Sequence, residues 1–126
     1  MKVSTILLTT IIVIAFIGCE KKYSLEESKL INETKSLITE YKFSVTQQET
    51  YLKAMDDSIK YKSLKEYFYE KHQAEWFKCI ELRGSINKNI GTLEMAGIEY
   101  DFGVIPDDLS IERWEYLKEE KLKKEK

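Results

Sequence analysis

The chain has 126 residues, with Lys plus Arg at 20, Asp plus Glu at 22, and a net charge of -2. That balance excludes a basic surface built to track nucleic-acid phosphates, and two Cys are too few for a disulfide-framed mini-domain. One Pro and five Gly are too few for a sandwich or barrel that must turn roughly every 8–12 residues. One small helical domain with a well-solvated surface is what this composition allows.

The first element is N-terminal. Lys2 is followed by an uncharged apolar run from Ile6 to Ile17, then Gly18, Cys19, Glu20, Lys21 and Lys22. A short positive start, an apolar stretch and a small residue before the cut are the features of a secretory signal peptide. Phe16-Ile17-Gly18-Cys19 resembles the lipobox of bacterial lipoprotein precursors, with Phe16 where most of that family has Leu. The resemblance covers the first nineteen residues and implies that Cys19 is joined to a diacylglycerol. It further implies cleavage between Gly18 and Cys19, leaving Cys19 at the head of the mature chain. An uncleaved anchor and a plain signal peptide are the alternatives. Val3–Gly18 would span about 24 Å as a helix, short of a hydrocarbon core of about 30 Å. The expected organisation is a signal peptide over 1–18, a lipidated tether over 19–23, a helical domain over 24–117 and a charged tail over 118–126.

From Ser24 to Arg83 the chain has no Gly and no Pro, which predicts helix. Ser24 with Glu27, Ser44 with Gln47 and Ser63 with Glu66 each fit a capping box. Ile31, Thr34, Ile38, Tyr41, Val45, Gln48, Leu52, Met55 and Ile59 step by three and four without a slip, a seam that runs straight across Ser44. A second stripe holds Leu64, Phe68, Trp76, Cys79, Ile80, Ile86, Ile90 and Leu93. Gly97 with Ile98 reads as a left-handed helix stop. The expected fold is all-α: a helical hairpin turning near Lys60–Ser63, or a three-helix bundle if the first helix breaks at Lys42–Ser44. A short C-terminal helix starts near Leu109, and a tail from Lys118 is expected to be solvated and frayed.

Between them lies an acidic loop over 97–108. Gly97 to Glu112 holds five carboxylates and no Lys or Arg, interleaved with aromatic and aliphatic residues. Tyr100, Asp101, Phe102, Asp107 and Asp108 are therefore candidates for binding a basic partner surface. Alternatively Tyr100, Phe102 and Ile105 seal the open end of the bundle. A second aromatic group, Tyr61, Tyr67, Phe68 and Tyr69, is expected near the hairpin tip. Cys79 is expected as a buried small hydrophobe and His72 as a solvated or half-buried helix residue.

No catalytic motif is present: there is no phosphate loop, no nucleophile elbow and no pair of His at metal-binding spacing. The expectation is a protein that is not an enzyme, with no catalytic residues, no metal and no cofactor. It is held by its N-terminal lipid to the cell membrane or the outer membrane, facing the periplasm or the exterior. The expected role is a binding or scaffold module for another envelope protein, without nucleic acid. The alternatives are an exclusion or immunity lipoprotein that blocks phage, plasmid or toxin entry, and a small-ligand carrier with Tyr41, Met55, Trp76 and Phe77 lining a cavity.

Overall fold

A computed structural model describes residues 23–125. They form three helices: α1 (Leu25–Asp57), α2 (Lys62–Met95) and α3 (Ile111–Glu125). The fold is all-α, a helical hairpin with a short C-terminal helix.

Helix α1 runs unbroken through Lys42–Ser44, so the hairpin forms rather than the three-helix alternative. Its start is the Ser24 capping box: Glu27 N–H donates to Ser24 Oγ at 3.1 Å, and Ser24 N–H donates to Glu27 Oε1 at 3.2 Å. The other two boxes do not form. Ser44 is buried in mid-helix, where its N–H is already held within the helix. Helix α2 begins at Lys62, one residue before Ser63, with Tyr61 at the N-cap position and no side-chain cap bond. Local capping chemistry is decisive only where the seam permits a break. The seam stays in register across Ser44, so tertiary packing keeps the helix whole.

At the other end of α2 the left-handed stop is present. Gly97 has φ of 75°. Its N–H donates to Glu94 O, and Ile98 N–H donates to Leu93 O, each at 2.9 Å. This double bond pattern satisfies two of the orphan carbonyls of the last turn.

Along α1 the buried positions are Ile31, Thr34, Ile38, Tyr41, Ser44, Gln48, Leu52 and Met55. The predicted seam holds except that Ser44 replaces Val45 as the fully buried residue, and Ile59 lies beyond the helix end and is exposed. Along α2 only His72, Cys79, Ile86 and Leu93 are fully buried, spaced by sevens. Leu64 and Ile80 of the predicted second stripe are exposed. Helix α1 buries two positions per heptad over most of its length, and helix α2 buries one.

Two apolar clusters result. One joins Ile38, Tyr41, Cys79 and Ile86, with Phe102 and Ile105 packed on it. The other joins Leu52, Met55 and Leu109, with Phe68, Ile111 and Trp114. Helix α3 starts at Ile111, two residues later than expected, because Ser110 caps it: Arg113 N–H donates to Ser110 Oγ at 3.1 Å. It stays helical through Glu125 rather than fraying from Lys118. Lys118 bonds both oxygens of Asp56 at 3.1 Å, and Lys123 pairs with Glu120.

Candidate functional site: the clamp on the crossing segment

The segment between α2 and α3 lies along the hairpin groove, from the open end towards the tip. Polar side chains of both helices hold its backbone. Tyr41 Oη–H donates to Pro106 O at 2.6 Å. Arg83 Nη1 donates to the same carbonyl at 3.1 Å and to Tyr41 Oη at 2.9 Å. Further along α1, Gln48 Oε1 accepts from Leu109 N–H at 2.9 Å. His72 Nε2 lies 2.6 Å from Leu109 O. A carbonyl only accepts, so Nε2 carries the proton and donates. Both polar groups of Leu109 are thus bound, one by each helix, while its side chain packs in the cluster with Leu52 and Met55. Gln48 Nε2 also reaches Ser44 Oγ at 3.4 Å, and Ser44 Oγ donates to Glu75 O at 3.1 Å across the hairpin.

This arrangement explains Gln48 inside the seam and His72 opposite it, whereas Thr34 donates to Leu30 O of its own helix. A buried backbone N–H or C=O must be paired, and an extended segment brings no helical partners of its own. Gln48 and His72 supply them. His72 is fully buried, contrary to its expected solvated or half-buried place. Burial lowers its pKa below 6.5, with the bond to Leu109 partly opposing that shift. Burial also pushes the Tyr41 phenol up to about 12, against the pull of the Arg83 guanidinium. Cys79 is buried and its thiol is likewise shifted up by burial. It packs as the expected small hydrophobe.

The five candidate partner-binding residues have distinct places. Asp108 accepts from Trp76 Nε1 at 2.6 Å. Asp107 pairs with Arg113 at 3.3 Å. Asp101 Oδ1 accepts from Gly103 N–H at 2.8 Å, closing a turn that puts Gly103 at φ of 79°. Phe102 packs on the upper core cluster. Tyr100 stacks on Phe102 at 4.7 Å, edge-on to Tyr23 at 6.2 Å, with Lys35 Nζ 4.9 Å from its ring centroid. Tyr100, Asp101 and Phe102 share an open groove of about 350 Å³ with Ile90, Leu93 and Ile98. Asp107 and Asp108 lie further down and are engaged by Arg113 and Trp76. Of the three residues of the sealing alternative, Phe102 and Ile105 pack on the core cluster of Ile38, Tyr41, Cys79 and Ile86, while Tyr100 lies against Phe102 and Tyr23.

The four residues expected to line a ligand cavity are dispersed. Tyr41 and Met55 belong to different core clusters. Phe77 is 60% exposed, beside Trp76 at 5.4 Å. Among the described residues, no three His, Cys, Asp or Glu side chains gather closely enough to share a metal ion. No described helix is long and apolar enough to cross a membrane. Gly18 and Cys19 lie outside the described residues. No family model matches the chain, and no match was found among curated proteins or solved structures.

The clamp residues Gln48, His72, Tyr41, Arg83 and Trp76 were not legible as a group from the sequence. One signal was there: His72 stands in heptad register with Cys79, Ile86 and Leu93, and Gln48 stands inside an apolar seam. Polar residues at core positions mark a buried backbone partner.

Proposed function

We propose that the chain is a bacterial lipoprotein whose helical domain serves as a non-enzymatic binding module at the cell envelope. The observation that carries this reading is Phe16-Ile17-Gly18-Cys19 after an uncharged apolar run. Cys19 stands five residues before the Ser24 cap, so an acyl group there holds the domain within about 18 Å of the bilayer. Two or more acyl chains give stable attachment, because one chain alone binds reversibly. The domain's polar chemistry is directed inward, onto its own crossing segment. The outer surface offers exposed aromatic and aliphatic side chains suited to contact.

Metabolic labelling with radioactive palmitate tests the anchor. Label enters the wild-type chain and is absent from Cys19→Ala, which is also released from the membrane fraction. Equal labelling of both proteins rejects the lipoprotein assignment. In-cell cross-linking of the same pair then tests the binding role, with one dominant envelope protein attached to the wild type alone.

A further inference from the structure

The hairpin turn joins exposed apolar side chains to a run of lysines. From Ser58 to Lys65 the chain reads Ser-Ile-Lys-Tyr-Lys-Ser-Leu-Lys, with three Lys and no carboxylate. Ile59 is 69% exposed, Tyr61 67% and Leu64 44%. Lys60, Lys62 and Lys65 form no ion pair among the described residues, whereas Lys53 and Lys118 do. Helix α2 starts here without a side-chain cap and without an acidic residue in its first turn. The positive end of its dipole therefore adds to the lysines instead of being neutralised. The acidic neighbours Asp57 and Glu66 bound the stretch on either side.

The shape matters as much as the charge. Ile59, Lys60 and Tyr61 are exposed on the turn itself, and Lys62 and Lys65 line an open groove beside it with Glu66 and Glu115, so the exposed side chains of the turn are free to enter a soft surface. Lys around Ile, Tyr and Leu is the mixture that sits at a membrane interface: the apolar groups enter the headgroup boundary while the ammonium groups meet anionic lipid. Helix α1 spans about 50 Å, so the turn lies at the opposite end of the hairpin from the N-terminal attachment. We propose that the hairpin turn, through Ile59, Tyr61, Leu64 and the three lysines, docks on an anionic phospholipid surface other than the one that holds the N-terminus.

The test uses the full chain reconstituted into zwitterionic vesicles through its N-terminal end. Whether acyl chains or the apolar run over 6–17 hold it there does not alter the readout, so the lipoprotein assignment and this proposal fail separately. A second, fluorescent vesicle population is then added, either purely zwitterionic or containing phosphatidylglycerol. Capture of the anionic vesicles alone is expected, weakening as salt rises. Each lysine near such a surface contributes about fivefold, so losing three positive charges is worth about a hundredfold, and reversing Lys60, Lys62 and Lys65 to Glu is expected to reduce capture by at least that factor. Ile59→Ser with Leu64→Ser is expected to weaken capture with the charge intact. Unchanged circular dichroism shows that each variant folds. Absence of capture, equal capture of zwitterionic vesicles, or undiminished capture by the charge-reversed variant overturns the proposal. Retention of soluble polyaspartate without vesicle capture also overturns it, and assigns the turn to an acidic polypeptide instead.

Discussion

Replacing Gln48 with Leu removes the acceptor of Leu109 N–H, together with a long bond to Ser44 Oγ, and leaves the hairpin's apolar contacts nearly intact. Gln48 is fully buried, and its Oε1 is the partner of Leu109 N–H at 2.9 Å. A buried donor stripped of its acceptor costs about 1–3 kcal/mol, partly offset by the extra apolar surface of Leu. A net loss of about 2 kcal/mol lowers the melting temperature of a domain this size by roughly 8–16 °C. It also speeds exchange of the Leu109 amide proton by about thirtyfold if that amide opens locally. Hydrogen exchange followed by NMR reads this position directly, and urea unfolding reads the global change. His72→Leu removes the donor to the other side of the same residue, Leu109 O. The double variant should be less destabilised than the sum of the two, because a segment already released has little left to lose. A Leu109 amide that exchanges at the wild-type rate in Gln48→Leu, or a strictly additive double variant, refutes the clamp.

Three further outcomes follow from the same geometry. The His72 pKa is lowered by burial, so the neutral ring stabilises the fold fully above about pH 6.5, and that contribution falls away as pH drops from 6.5 towards the lowered value. Urea midpoints measured between pH 7.5 and 5 should show this slope, and His72→Gln, which keeps an N–H for Leu109 O, should flatten it. A methyl group on Gly84, within α2, would meet nothing within 4 Å, so Gly84→Ala should stabilise by about 1 kcal/mol. Gly97→Ala, at φ of 75°, should destabilise by about 1–2 kcal/mol, and thermal melts of the two variants should move in opposite directions. Cys79 is buried with its thiol shifted up, so a thiol reagent at pH 8 should modify it only on the timescale of unfolding. Rapid labelling of Cys79 in the folded protein contradicts that account.

The helical class, the Ser24 start, the Gly97 stop and most of the α1 seam were legible in the sequence because each rests on near neighbours. A capping box spans four residues, and a heptad face repeats every two turns. The pattern also carried false signals of the same local kind. Ser44 and Ser63 have the spacing of caps, but the seam crosses one and α2 has already begun at the other. His72 was harder still. Its sequence neighbours Lys71 and Glu70 are exposed, and nothing local indicates that Leu109, thirty-seven residues away, brings it a carbonyl.

The order of the elements, the Ser24 start, the Gly97 stop and the one-sided polarity of the loop belong to the sequence by itself. The same is true of the lipobox-like tetrapeptide on which the anchor reading rests. Only the tertiary structure decided that the loop lies back in the hairpin groove, that α1 is one helix, and that Gln48 and His72 serve the backbone of Leu109. The reason is physical: an extended segment has no internal hydrogen bonds, so its course depends on which distant side chains can pair its N–H and C=O groups. Those pairings join residues 23 to 65 positions apart, beyond the reach of any local pattern.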